Sequence, residues 1–144
     1  VVASRIGRRV TIKFGAALLA LCFFTAFIYT VIFSYFHWAL YILFVLVGIA
    51  WAAINVNSYP MVVEMSKAGD VGKYTGYYYT FSMAAQVITP ILSGALLEHV
   101  GYRTLFPYSV VFSALAFVTM SQVKHGDSKP IQKKDILENL DVED

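Results

Sequence analysis

Cysteine occurs once in this 144-residue sequence, at Cys22, and proline only four times. A single thiol excludes a disulfide framework and any cysteine-based metal centre. Charge is scarce too. Asp, Glu, Lys and Arg make up 14% of the chain, against about 25% in an ordinary soluble domain. The net charge of +2 is too small to suggest nucleic acid as a partner. There is no Walker A sequence, no H-E-x-x-H and no nucleophile elbow. The three histidines are scattered through turns and tail, so no metal and no cofactor is expected. No carboxylate lies deep in an apolar run, because Glu64 and Glu98 stand at run ends. No catalytic residue is expected, and of the functions considered an enzyme fits least.

What the chain has in excess is apolar surface: 58% hydrophobic residues and a mean hydropathy of +0.64. A small soluble domain has too much surface to tolerate that composition. The residues fall into four long runs, 14–35, 39–61, 75–97 and 105–123. Each is about 20 residues or slightly more, enough at roughly 1.5 Å per residue to cross a hydrocarbon core of about 30 Å. Backbone groups in lipid must be satisfied within the segment, so each run is predicted to be a helix. Runs such as Ala16-Ala17-Leu18-Leu19-Ala20-Leu21 do not alternate as a β-barrel strand would. The fold class is all-α and integral to the membrane, with lipid as a partner. A basic loop (1–13), a four-helix region (14–123) and a polar tail (124–144) follow in order. The tail is expected to be disordered rather than to form a short helix at 133–140.

Lys and Arg set the orientation. Arg5, Arg8, Arg9, Lys13, Lys67, Lys73, Lys124, Lys129, Lys133 and Lys134 all fall on one side, and only Arg103 on the other. Both termini are therefore expected in the cytoplasm, with the helices in the plasma (inner) membrane.

The runs differ in polarity. Runs one and four carry mainly Ser and Thr, whose hydroxyls can bond their own helix carbonyls. These helices are expected to face lipid. Runs two and three carry the amides Asn55, Asn57 and Gln86, which need partners away from lipid. At 100° per residue, Gly48, Trp51, Ala52, Asn55, Ser58 and Tyr59 share a face, with Asn57 nearly opposite Asn55. A mid-membrane Trp one turn from an Asn suits a sugar-like solute: the ring meets C–H groups and the amide meets hydroxyls. Trp51, Asn55, Tyr59 and Gln86 are thus candidates for a solute cavity. The alternative is that these residues hold helices together, with Gly48 and Ala52 allowing close approach. In run three, Tyr79, Ser82, Gln86, Thr89 and Ser93 form a polar stripe that lines either a cavity or a helix interface. Pro90 deprives the Gln86 carbonyl of its helical partner and is expected to kink the helix, as a hinge or as a static bend.

Two motifs carry a resemblance. Ser4-Arg5-Ile6-Gly7-Arg8-Arg9 resembles the D-R-x-G-R-R loop of the major facilitator superfamily, with Ser4 in place of the acid. Pro90-x3-Gly94 followed by Gly101-Tyr102-Arg103-x2-Phe106 is similar to that family's G-P-x3-G and G-W-R-x2-F pattern. The resemblance covers residues 3–123 and implies helices nine to twelve of a twelve-helix transporter. The chain is then part of a longer protein whose N-terminal helices complete it. The run from Asn55 to Glu64 looks most like the glycoside–cation symporter and sucrose-transporter branch. The resemblance implies alternating-access transport of a small polar solute, a sugar with a coupled cation. It also implies that the second helix here lines the cavity, and that the Arg-rich loop (Arg8, Arg9) pairs with an acid at that helix's cytoplasmic end, the place Glu64 holds. A guanidinium can bind a carboxylate through two parallel hydrogen bonds. The rival reading is a small four-helix membrane scaffold or assembly subunit with no transport of its own.

Overall fold

Each apolar run folds as one helix, and the first three helices reach past their runs at one end or both. The computed structural model describes residues 6–33, 35, 37–66 and 70–124. In chain order these form α1 (Arg8–Ile32), α2 (Ala39–Met65), α3 (Val71–His99), a single 3₁₀ turn (Tyr102–Thr104) and α4 (Leu105–Gln122). No strand occurs among the described residues. All four helices are long and apolar enough to cross a membrane. Ser4 and Arg5 of the loop motif, and the tail beyond Lys124, lie outside the described residues.

Two glycines of the sequence motifs, Gly7 and Gly101, each do a local job. Gly7 and Gly101 have φ of 102° and 108°, a region closed to most L-residues. Each then offers its carbonyl to a threonine hydroxyl: Thr11 Oγ1 donates to Gly7 O at 2.8 Å and Thr104 Oγ1 to Gly101 O at 2.7 Å. The chain thereby turns sharply into α1 and into the 3₁₀ turn before α4.

α1 is the hub. It packs along both α2 and α4, whereas α3 touches α2 more lightly and α4 least. The buried face of α1 is Ile12, Gly15, Ala16, Leu19, Cys22 and Ala26, spaced by three and four and mostly small. Small side chains let backbones approach, which is how helices associate where lipid removes the hydrophobic drive. A Cβ built on Gly15 would come within 2.9 Å of both the Ala50 carbonyl and Ile54 Cγ1. The expectation that α1 is a lipid-facing helix is corrected on this face: it is the most packed of the four. The matching face of α2 is Ala50, Asn57 and Met61. The close approach expected at Gly48 is absent among the described residues, where an added Cβ meets nothing within 4 Å. α3 and α4 have no buried residue.

Candidate functional site

The amides of α2 are first satisfied by their own helix. Asn55 Nδ2 donates to Trp51 O at 3.0 Å, Asn57 Nδ2 to Ala53 O at 2.7 Å, and Ser58 Oγ to Ile54 O at 2.7 Å. Because α2 continues to Met65, Pro60 lies more than a turn inside it. Proline has no N–H, so the Val56 carbonyl there loses its helical donor. The two asparagines then part ways. Asn57 is buried against α1, while Asn55 is exposed on the opposite side. Neither amide oxygen has a hydrogen-bond partner among the described residues, so each can accept one more bond.

On the Asn55 side, α2 and α3 diverge around a cleft of about 640 Å³. Its walls are Trp51 and Asn55 from α2, and Ser82, Ala85, Gln86, Thr89 and Pro90 from α3. Six residues singled out from the sequence, Trp51, Asn55, Ser82, Gln86, Thr89 and Pro90, therefore meet in one place. Gln86 Nε2 is 3.3 Å from Ser82 Oγ, one turn away. Trp51 is 62% exposed as a residue, which leaves its side chain open to a neighbour. A second space of about 370 Å³ shares Trp51 and Thr89 and is bounded by Leu19, Phe23, Tyr108 and Phe112 among others. Tyr59 is not part of the cleft wall. It stacks at 5.8 Å against both Tyr78 and Tyr79, which pack edge-on to each other at 5.4 Å. α3 runs as a single helix from Val71 to His99 through Pro90.

The basic ends of the helices are tied together by α1. Arg8 Nη1 lies 2.7 Å from Glu64 Oε1, so the N-terminal end of α1 meets the C-terminal end of α2. The contact is single rather than bidentate: Glu64 Oε2 is buried with no hydrogen-bond partner among the described residues. Arg9 does not join this pair. Its Nη2 donates to the Ser121 carbonyl at 3.1 Å, satisfying one of the orphan carbonyls at the end of α4. Adjacent helix residues point about 100° apart, so neighbouring arginines serve different helices. Lys13 Nζ sits 5.7 Å from the Phe117 ring centre, a second tie to α4. Gly15, Arg9 and Lys13 are packing residues that the polarity of the runs does not reveal. The small-residue spacing of α1 is a readable signal for Gly15, whereas nothing in the sequence names the partners of Arg9 and Lys13.

The chemistry of the cleft is that of hydrogen bonding and aromatic stacking. It holds two amides, two hydroxyls and an indole, with no acid or base to move a proton. No cluster of His, Cys, Asp and Glu suited to a metal occurs among the described residues. No curated protein and no solved structure matches the chain. The sequence model of the Major Facilitator Superfamily matches residues 1–138, which take in all four helices, and the chain belongs to that superfamily of transporters.

Proposed function

We propose that the chain forms part of a secondary active transporter that moves a small polar solute, a sugar with a coupled cation, by alternating access. The observation that carries this reading is the cleft between α2 and α3, where Trp51, Asn55 and Gln86 meet near the middle of both helices. An indole face and two amides are what a ring of C–H groups and hydroxyls needs. The cleft is open along one side, so further helices of the same transporter would close it around the solute. No carboxylate lies deep within the four helices, since Glu64 and Glu98 stand at helix ends, so the coupled cation would be held by those further helices. Pro90, on the cleft wall, is the hinge in this scheme. The Arg8–Glu64 pair is a latch on the cytoplasmic side, joined and released as the helix ends move. The ten-to-one division of Lys and Arg supports cytoplasmic termini in the plasma (inner) membrane.

Asn55→Ala and Gln86→Ala in the full-length transporter should each reduce uptake while leaving its abundance in the membrane unchanged. A second reading is supported by the absence of any buried residue on α3: the polar stripe then meets another helix rather than a solute. In that case both substitutions lower the amount of folded protein in step with uptake. Orientation is tested with cysteines at His37 and His99 in a Cys22-free background. An impermeant thiol reagent should label both from outside, and labelling at Lys129 instead would reverse the topology.

A further inference from the structure

At the end of the bundle opposite the Arg8–Glu64 pair, α1 and α4 leave a groove of about 440 Å³. Phe27, Thr30 and Val31 wall it from the last turns of α1; Leu105 and Phe106 wall it from the first turn of α4. Arg103 and Tyr102 form its rim. Arg103 is the single Lys or Arg on this side of the four helices, and it makes no ion pair or hydrogen bond among the described residues. The acid in the same connection, Glu98, is exposed at the end of α3 and is not part of the groove wall. His99 is occupied locally, its Nδ1 2.9 Å from Ala95 O.

We propose that this groove holds a phospholipid of the facing leaflet, with its phosphate on Arg103 and the start of an acyl chain against Phe27, Val31, Leu105 and Phe106. The level is right for such a ligand. Thr30 and Val31 lie in the final turn of α1, where a spanning helix passes from hydrocarbon to headgroups, and Phe27 lies about one turn, roughly 5 Å, deeper. The chemistry also fits. A guanidinium matches a phosphodiester with its fork of donors. Tyr102, 83% exposed, is an amphipathic ring of the kind that settles among headgroups. A free phosphate would satisfy Arg103 and leave the apolar walls bare, whereas a phospholipid satisfies both. The groove lies away from the α2–α3 cleft, so this proposal does not depend on the solute reading.

The test is native mass spectrometry of the full-length protein in detergent, titrated with phosphatidylglycerol, with diacylglycerol and inorganic phosphate as separate arms. Phosphatidylglycerol should remain bound where the other two do not. Arg103→Gln should weaken its retention about tenfold, the scale of a charge-assisted contact, and Arg103→Lys less. Val31→Trp, which fills the groove while keeping the charge, should also displace the lipid. If Arg103→Gln is poorly folded, Val31→Trp alone decides. Retention unchanged in Val31→Trp, equal binding of diacylglycerol, or displacement by inorganic phosphate at the lipid's own concentration would each overturn the proposal.

Discussion

α1 and α3 are both long apolar helices, yet α1 buries a continuous face and α3 buries nothing. The difference lies in side-chain size and placement. α1 presents Gly15, Ala16, Cys22 and Ala26 along one line, and α2 closes on it so tightly that a Cβ at Gly15 would strike the Ala50 carbonyl. α3 presents hydroxyls and an amide along its line, and an added Cβ at Gly72, Gly76 or Gly94 meets nothing within 4 Å. In lipid there is little hydrophobic drive between helices, so fit and hydrogen bonds decide which helices associate. α1 supplies fit and makes the scaffold. α3 supplies hydrogen-bonding capacity without a filled partner, which is why the candidate cleft lies on its side of the molecule.

That contrast can be broken most directly at the glycines. Gly15→Leu should destabilise the protein by about 1–3 kcal/mol or more, because the added atoms meet backbone that cannot retreat. Thermal melting in detergent should fall clearly. Gly94→Leu should leave melting nearly unchanged. A comparable loss at Gly94 would mean that α3 is covered by another helix, and the contrast would then belong to these four helices alone.

The next test concerns what α1 ties down at its basic end. Arg8→Glu and Glu64→Arg should each impair transport and stability, and the double reversal should recover part of both. The pair is partly exposed, so about 1 kcal/mol is the scale. That is enough for a several-fold shift between two states of a transporter. Arg9→Glu combined with Glu64→Arg should show no such recovery, since Arg9 serves the Ser121 carbonyl. Recovery there would return Arg9 to the latch.

The smallest difference separates the two asparagines of α2. Asn57→Ala should cost about 1 kcal/mol of stability, since its amide is buried at the α1 face and donates to Ala53 O. Asn55→Ala, on the cleft side, should leave stability unchanged. If Asn55 proves the costlier of the two, its side of α2 is a packed interface rather than a cleft wall.

Much of this arrangement is legible in the amino-acid sequence. The four spans follow from apolar run length, because lipid leaves the backbone no option but a helix. Trp51, Asn55 and Gln86 stand out because amides and an indole are unusual deep in an apolar run, and Pro90 because it frees a helix carbonyl; the four line one cleft. Arg8 and Arg9 can both be matched with Glu64 because all three stand at helix ends on the same membrane face, but which of them pairs is not legible. The scaffold role of α1 is not legible from polarity, because its small residues carry no polar signal, and size governs packing as strongly as polarity does. Helical angle alone groups Tyr59 with Trp51 and Asn55, although two turns along the axis bring it to Tyr78 and Tyr79 instead.

The order of residues along the chain dictates the class of the protein, its four spans and the polar and aromatic side chains that stand out within them. Those properties depend on composition, run length and spacing within one segment at a time. Folding in three dimensions selects which helix is the scaffold, which arginine meets Glu64, and where the cleft and the Arg103 groove open. Those depend on how side chains from distant segments fit across helix faces. A periodic pattern shows that such a face exists, but only the packing of one helix on another chooses its partner.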